Sequence, residues 1–254
     1  MPPVWTNPYG QPIGMPLPGW RARQRPNAIT LQGRFCRLEP LDPAVHGQAL
    51  AEAYALANEP RDWTYMANGP FDSDAAFFQY LSSAARSDDP RHYAVVDARS
   101  GRATGTLALM RQDPANGVIE VGHVMFSPLL QRTPAATEAQ FLLMHYVFDV
   151  LGYRRYEWKC DSLNAGSRKA AERLGFQFEG IFRQALVYKG RNRDTAWFSV
   201  IDSEWSKVDE AFTAWLAADN FASEGTQKRS LAACRGDTAS SARCSERRTR
   251  LTRT

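Results

Sequence analysis

The sequence predicts a mixed α/β (α+β) domain over about residues 31–222, in which a mostly antiparallel sheet is flanked by helices. Three observations predict this class. The hydrophobic period changes repeatedly between strand-like and helix-like along the chain. Three strand-like segments follow one another with only short turns between them, which favours antiparallel pairing. The 254 residues, 44% of them hydrophobic, suffice for one substantial core.

The domain opens with a predicted strand over 35–41 and a helix over 43–56. Asp42 is a favourable N-cap for this helix, and Pro43 suits its first position because a proline has no N–H to leave unsatisfied. A second helix begins near Ser73, where apolar residues recur at helical spacing. These residues are Phe77, Phe78 and Leu81.

Three strands are predicted next, over 92–97, 103–110 and 118–126. Ser100-Gly101 and the segment 113–117, Asp-Pro-Ala-Asn-Gly, separate them as turns. The predicted arrangement is an antiparallel meander.

A long helix follows, with Thr133 as its N-cap, Pro134 at its first position and Gly152 as its stop. The next strand, 156–161, alternates aromatic or cysteine residues with charged ones. A short helix over 164–174 comes next. Two final strands complete the order βααβββαβαββ, over 176–188 and 195–201.

Both ends of the chain differ from the domain in composition. Residues 1–30 contain seven of the fifteen prolines together with Trp5, Tyr9 and Trp20, which predicts an extended arm laid over the domain. Residues 223–254 have few large aliphatic side chains and no periodicity. We expect this tail to be disordered, and we hypothesise that it has no function.

The net charge of +4 belongs to the tail. Residues 226–254 contain eight Lys and Arg against two acidic residues, which is +6 and leaves −2 for the rest of the chain. Nucleic-acid binding by the folded domain is therefore not expected.

Other broad classes are also disfavoured. The longest apolar stretch, 141–151, is far shorter than the roughly 20 residues that span a membrane, and no secretory signal is visible at the N-terminus. The four cysteines form no CxxC pair and have no nearby histidines, so neither a metal site nor a disulfide framework is expected. A cytoplasmic protein is predicted.

The most informative junction is the passage from the strand ending at Phe126 into the helix that begins at Thr133. A helix N-terminus presents free N–H groups and a positive dipole end, which together bind phosphate. Gln131, Arg132 and the hydroxyls of Thr133 and Thr137 lie in the same turn. An ordinary capped helix is the alternative interpretation of this segment.

Together with the second half of the domain, this turn resembles the GNAT superfamily of acyl-CoA-dependent N-acetyltransferases, in particular its RimJ/RimL-like branch. The segment 131–136 matches the first and last positions of the family turn Q/R-x-x-G-x-G/A, with Pro134 where Gly is usual. Asn164, Ser167 and the segment 174–180, Leu-Gly-Phe-Gln-Phe-Glu-Gly, also resemble this branch.

The resemblance implies splayed central strands and acetyl-CoA as co-substrate. The pantetheine arm would pair with backbone groups near Val124 and Phe126, and Asn164 would reach it. Ser167 would lie near the sulfur. The diphosphate would lie on the turn formed by Gln131, Arg132, Thr133, Ala135, Ala136 and Thr137. Pro134 would remove one N–H donor from that turn.

Amide formation from a thioester needs a base for the amine and an acid for the leaving thiolate. Glu120 and His123 are the candidate bases, with Glu157 on the neighbouring strand. Residue parity places Glu120 and His123 on opposite faces, so that His123 can equally be a core histidine. Ser167 is the candidate acid, with a capping role as the alternative, and Tyr188 is a second candidate that can equally be packing.

The expected activity is transfer of an acetyl group to a primary amine, either a protein N-terminus or a small amine, by direct attack in a ternary complex. A non-catalytic acyl-CoA-binding module is the alternative. The acceptor pocket would lie between the first two helices and the hairpin over 188–194, with Lys189, Arg191 and Arg193 in a solvated turn. Its aromatic lining would come from Trp63, Tyr65, Phe71 and Phe77. A homodimer is left open.

Overall fold

The computed structural model describes residues 4–57 and 59–237, within which the chain forms ten strands and six α-helices. The strands are β1 (Trp5–Thr6), β2 (Pro12–Ile13), β3 (Leu31–Gln32), β4 (Cys36–Pro40), β5 (Arg91–Asp97), β6 (Ala103–Asp113), β7 (Val118–Phe126), β8 (Arg155–Asp161), β9 (Gln177–Tyr188) and β10 (Arg191–Ile201). The helices are α1 (Pro43–Ala55), α2 (Asp74–Ala85), α3 (Pro134–His145), α4 (Ala165–Leu174), α5 (Asp202–Leu216) and α6 (Leu231–Cys234). None of these helices is both long and apolar enough to cross a membrane.

Eight strands form one sheet in the order β3-β4-β5-β6-β7-β8-β10-β9, and β1 pairs with β2 in a separate hairpin. All neighbours in the large sheet are antiparallel except β7 and β8. The predicted mixed fold is confirmed, because β4 to β10 and α1 to α4 follow the predicted order.

Helices cover both faces of the sheet, so the central strands have apolar residues on both sides. Val95 and Leu107 lie in the larger core with α3, α4 and α5, and we call this side the α3 face. Ala94, with Leu50 of α1 and Leu81 of α2, lies in the smaller core, and we call this side the α1 face. Along a regular strand, residue parity decides which face a side chain joins.

α3 begins where the sequence predicts. The Thr133 side chain accepts a first-turn N–H at 3.2 Å, and Pro134 is the first helical residue. The single helix predicted up to Gly152 instead ends as α-helix at His145 and continues as a π-helical turn, Tyr146–Val150. The wider turn still brings the chain to Gly152, whose φ of 67° ends the helical segment.

α5 follows β10 directly and is not predicted by the sequence patterns above. A Glu204 side-chain oxygen accepts the Ile201 N–H at 3.1 Å, which starts the helix without an intervening loop. Because no turn residues separate strand from helix, only the apolar spacing could have revealed it. The residues with that spacing are Trp205, Val208, Phe212 and Trp215, all buried.

Only part of the predicted arm lies over the domain. The Trp20 indole N–H donates to the Ala115 carbonyl at 2.8 Å, so Trp20 is an anchor as expected. Trp5 and Tyr9, the other expected anchors, are 44% and 87% exposed. Residues 4–19 lie almost entirely in solvent.

The described part of the tail, 223–237, packs against the domain, contrary to the expected disorder. Leu231 is 1% exposed and joins the core of the α3 face. Asn220, just before the tail, accepts a tail backbone N–H at 3.0 Å, and Arg235 donates to carbonyls at the end of α4 at 2.6 and 3.4 Å. One buried leucine in a four-residue helix is too short a pattern to show periodicity. Residues 238–254 lie outside the described residues.

Candidate active site

β7 and β8 pair along only half of their lengths. Their parallel pairing covers residues from Val118 to Val121 of β7 and ends there. Within the described chain, residues 122–126 of β7 have no pairing partner on β8, and residues 159–161 of β8 have none on β7. The predicted splaying of the central strands is therefore confirmed. We call the space between these two segments the gap.

A β-bulge in β7 explains why the strands separate. Between its pairs at Gly122 and Met125, β7 has two residues, His123 and Val124, opposite a single residue of β6. His123 has a φ of 48°. Because a bulge bends and twists the strand that carries the extra residue, β7 turns away from β8 here. The Val124 backbone thereby lies at the gap without a register partner on β6, as an arm-binding strand would require.

The turn from β7 into α3 leaves backbone donors free. Thr133 takes the Ala136 N–H. Among the described residues, no hydrogen-bond partner outside the helix is found for the N–H groups of Arg132 and Ala135. Pro134 has no N–H, as the sequence indicates. Two N–H groups, the positive end of the α3 dipole and the exposed Arg132 side chain remain to bind a diphosphate.

Two residues predicted for this turn have other partners. The Gln131 side-chain amide donates to the Phe126 carbonyl at 2.7 Å, so an arm pairing with that carbonyl would compete with Gln131. Thr137 is 4% exposed, and its hydroxyl accepts from Arg173 at 3.1 Å. Thr137 therefore joins α3 to α4 instead of facing a ligand. Ala136 is half-buried beside the larger core.

Asn164 and Ser167 lie at the start of α4, on the other side of the gap. Asn164 is the N-cap, and its side-chain oxygen accepts the Ser167 N–H at 3.0 Å. The Trp158 indole N–H donates to the Ser167 hydroxyl oxygen at 2.9 Å. Because that oxygen acts as acceptor, its own hydrogen can be donated, either to the neighbouring Cys160 sulfur, whose pKa this contact lowers against the effect of burial, or to a ligand. The capping position and the predicted placement near a leaving sulfur are thus compatible.

The prediction that His123 lies opposite Glu120 is wrong. The rings of His123 and His92 are 4.8 Å apart. His92 belongs to the α1 face, since its neighbour Tyr93 lies in the larger core. The bulge supplies the extra residue that shifts His123 to the α1 face, which sequence parity alone could not reveal. Burial lowers the pKa of His123, and it lowers the pKa of His92 to about 4 with a contribution from His123.

Small residues make the histidine contact possible. His92 pairs with Ala108 of β6, and Ala108 pairs with Gly122 of β7. Neither residue places a large side chain between the two rings. A Cβ at Gly122 would lie 2.3 Å from the sulfur of Met110, so any larger residue there would require the Met110 side chain to move.

Glu120 lies in a buried ionic cluster on the α1 face. It is 5% exposed, and its carboxylate lies 2.9 Å from Lys159 Nζ and 3.2 Å from Arg111 Nε. Lys159 also lies 2.6 Å from Glu157 and packs 3.7 Å over the Trp197 ring. Burial raises the pKa of Glu120, while Lys159 opposes this effect. Because Glu120 and Glu157 are both paired with cations, we interpret the two carboxylates as structural groups and not as catalytic bases.

Tyr188 is bound to a carboxylate. Its hydroxyl donates to Asp161, at the end of β8, at 2.8 Å. Burial and this hydrogen bond raise the pKa of Tyr188 to about 12. A phenol that already donates to a buried carboxylate is a poor proton donor for a second group.

Lys189 and Arg191, in the hairpin between β9 and β10, are exposed as predicted for a solvated turn, and they also bond to a neighbouring loop. Lys189 donates to the Trp63 and Gly69 carbonyls at 2.7 and 2.5 Å, and Arg191 donates to the Thr64 carbonyl at 2.8 Å. We call the segment 60–71 the roof loop. The hydrogen bonds from Lys189 and Arg191 hold the roof loop beside the end of β8.

The predicted aromatic lining divides into core and surface. Trp63 packs edge-on against Phe71 at 5.4 Å and against Tyr54 of α1 at 6.1 Å, and Phe77 joins the same aromatic group. These rings anchor the roof loop to α1 and α2. Tyr65 is different, because its hydroxyl donates to the Leu163 carbonyl at 3.2 Å, in the turn after β8.

The arrangement suits a thioester that passes through the gap. Ser167 belongs to the helix that packs on the α3 face, whereas His123 lies on the α1 face. The two side chains therefore belong to opposite faces of the sheet. The free N–H groups of Arg132 and Ala135 fit the diphosphate of acetyl-CoA, so the residues present are compatible with this co-substrate.

Comparisons with known proteins agree with this geometry. A family model described as acetyltransferase (GNAT) domain matches residues 37–177. A solved GCN5-related N-acetyltransferase from Brucella melitensis is 53% identical, with a TM-score of 0.85, and the match covers 87% of this chain and 100% of that one. The protein named "Putative ribosomal N-acetyltransferase YdaF" from Bacillus subtilis (strain 168) is 27% identical over 176 residues, which is 66% of this chain and 90% of that protein.

These matches confirm the resemblance to the GNAT family that the sequence indicates. The family model covers the meander, the gap and the turn into α3, which are the elements that form the site. The chain belongs to the GNAT family of acetyltransferases, which transfer an acetyl group from acetyl-CoA.

Proposed function

We propose that this acetyltransferase acetylates a primary amine by direct attack in a ternary complex, with His123 as the base and Ser167 as the acid. The observation that carries the proposal is the gap itself, which has free phosphate-binding N–H groups at one end and these two side chains on its two sides. Acetyl-CoA supplies an activated acyl group. The protein aligns it with the amine, and alignment contributes much of the acceleration.

His123 is favoured over Glu120 as the base for a physical reason. Burial lowers the pKa of His123, so its imidazole is neutral and able to accept a proton at pH 7. Lys159 and Arg111 both contact Oε2 of Glu120 and favour its charged form, which makes this carboxylate a weaker proton acceptor than a neutral imidazole.

The proposed proton movements balance. The amine nitrogen forms a bond to the acetyl carbon, the bond from that carbon to sulfur breaks, and His123 takes the proton that the nitrogen loses. Ser167 gives its hydroxyl proton to the departing sulfur and regains one from solvent. Ser167 is favoured over Tyr188 because the Tyr188 proton is already donated to Asp161.

The acceptor approaches from the α1 face, where the roof loop limits the opening. Lys189 and Tyr65 attach this loop to structures on either side of the end of β8. Such an opening favours a small amine or a flexible chain terminus over an amine on the flat surface of a folded protein. Both acceptor classes named from the sequence therefore remain in the proposal.

The test mixes the protein with acetyl-CoA and a panel of amines and peptides while free thiol is measured. We expect turnover with at least one acceptor. Ser167→Ala and His123→Gln should each lower kcat by about 10²- to 10⁴-fold, with acetyl-CoA binding by calorimetry unchanged. Tyr188→Phe is the matched control and should keep most activity. Tight acetyl-CoA binding without turnover on any amine would favour a non-catalytic acyl-CoA-binding module.

The pH dependence gives an independent check of the base. Because His123 must be neutral and its pKa is lowered, its acidic limb in kcat/KM should lie below pH 6.5, once the titration of the amine itself is divided out. His123→Gln should remove that acidic limb. An unchanged limb in this variant would instead assign it to another group.

A further inference from the structure

The projecting half of the N-terminal arm is apolar and uncharged. The first charged residue of the chain is Arg21. Among the described residues, no hydrogen bond, ion pair or ring contact joins residues 4–16 to the rest of the molecule. Its exposed large apolar residues are Val4, Trp5, Tyr9, Ile13, Met15 and Leu17.

Such a segment is not expected to be stably folded by itself. β1 and β2 are two residues each, and an isolated two-stranded hairpin is at best marginally stable in water. Asn7 supplies the hydrogen bonds that close its turn, at 3.0 Å to the N–H groups of Tyr9 and Gln11. A defined apolar hairpin that neither bonds nor stacks on its own domain indicates a surface that is buried against another molecule.

β9 offers a matching surface on the same chain. It is the last strand of the sheet, so its outer edge has no partner strand within the described residues. Phe182 stacks on Trp197 at 4.3 Å, which makes an aromatic platform beside this edge. The exposed apolar residues of β9 are Phe178, Ile181, Phe182, Leu186 and Val187.

We propose that residues 4–17 of one copy of this chain pack on β9 of a second copy, in a two-fold symmetric dimer that exchanges its arms. The occupant is a second copy because one chain carries both uncovered surfaces, and a two-fold arrangement covers each of them and then closes. Three prolines in this segment, at 8, 12 and 16, lack N–H groups, so the segment docks through side-chain packing and not as an added strand.

The apolar area approaches what a specific dimer needs. Complete burial of one large apolar side chain removes about 60–120 Å² from water. The eleven residues named above are about half exposed, and each occurs twice in the dimer. The side chains alone therefore bury about 1,000 Å² in total, near the lower limit for specific interfaces. The absence of charge in the arm also matches the charge-depleted centre of such interfaces.

Sedimentation of the full chain over a wide concentration range tests the proposal. We expect a dimer for the wild type. Tyr9→Asp and Val187→Asp should each raise the dimer dissociation constant at least about 100-fold, because each substitution alters two contacts per dimer. These positions are 87% and 82% exposed, so the variants should fold, which thermal unfolding and acetyl-CoA binding would verify. Val45→Asp, at a 67% exposed site on α1, is the control and should remain dimeric.

A mixture of the two variants distinguishes this interface from others. Each variant alone has both contacts damaged, whereas their heterodimer keeps one intact arm on one intact β9, so the mixture should associate more tightly than either variant alone. A monomeric wild type would overturn the proposal. So would dimeric Tyr9→Asp, or a mixture that associates no better than its components. None of these outcomes depends on acetyltransferase activity.

Discussion

At the residue scale, the surroundings of His92 and His123 change the acid–base properties of both imidazoles. Both imidazoles lie against each other on the α1 face, and burial lowers both pKa values. In the unfolded chain a histidine has its ordinary pKa near 6.5. Protonation at moderately acidic pH therefore favours unfolding.

We expect the stability of the protein to decrease as pH falls from 7 to 5. The pKa of His92 is about 4 in the folded state, so between these pH values the unfolded state binds more protons. The stabilisation is fully present above pH 6.5 and is lost as pH falls towards 4. His92 alone should contribute a loss of about 2 kcal/mol between pH 7 and 5.

Urea unfolding at the two pH values measures this loss. His92→Gln should flatten the dependence, whereas His145→Gln, with a half-exposed ring, should leave it unchanged. An equally steep dependence in His92→Gln would assign the effect to other groups.

At the scale of elements, single side chains attach segments that the sequence does not place together. Glu138 of α3 is 4% exposed and accepts the N–H groups of Arg34, Phe35 and Cys36 at 2.8, 2.6 and 2.8 Å. It thereby attaches the turn between β3 and β4 to α3, the helix that follows the proposed diphosphate-binding turn.

Replacing Glu138 by alanine should lower the free energy of unfolding by about 3 kcal/mol or more, because three N–H groups lose a charged acceptor. Glu138→Gln keeps one acceptor oxygen and should lose less. Denaturant unfolding measures both variants. Glu172→Ala, at an exposed position of α4, is the control and should change stability by no more than about 0.5 kcal/mol. A similarly small change in Glu138→Ala would contradict this assignment.

The roof loop is a second attached element. Lys189→Ala and Arg191→Ala should raise the KM for the acceptor and leave the KM for acetyl-CoA unchanged, because only the α1 side of the gap is affected. Trypsin should also cleave after Arg61 faster in both variants, a readout that needs no known acceptor. Arg193→Ala is the control, since its Nε bonds Thr195 of its own strand and not the loop. A raised KM for acetyl-CoA would show that the hairpin serves the cofactor side instead.

At the scale of the whole molecule, the described part of the tail packs against α4 and α5 on the α3 face. Leu231 packs in the larger core, and Arg235 bonds the end of α4, whose first turn contains Ser167. Cations at a helix C-terminus are also favoured by the dipole. Contrary to the hypothesis that the tail has no function, we expect residues up to 237 to have a supporting role.

Two truncations test this role. Removal of residues 238–254 should change neither thermal stability nor acetyl-CoA binding. Removal of 223–254 should lower the free energy of unfolding by about 2–5 kcal/mol, as expected for the loss of a buried leucine, and should weaken acetyl-CoA binding. Equal behaviour of the two truncations would show that residues 223–237 are dispensable. Leu231→Ala is a milder variant for the same comparison.

The local elements could be predicted because their signals are local. Thr133 with Pro134, and Asp42 with Pro43, mark helix starts that the structure reproduces. Two of the predicted site residues lie in elements that border the gap. Ser167 accepts a hydrogen bond from Trp158 of β8, and Val124 lies in the bulge of β7. The prediction was wrong for the face of His123, because one extra residue reverses parity and leaves no mark in composition.

By itself, the sequence determined the order of strands and helices, the family and the turn that can bind a diphosphate, since each depends on neighbouring residues or on a continuous motif. Only the tertiary structure decided which charged groups neutralise one another, as Lys159 does for Glu120, and which face carries the base. Those features depend on strand register and on contacts between distant segments, where a shift of one residue exchanges the two faces of the sheet.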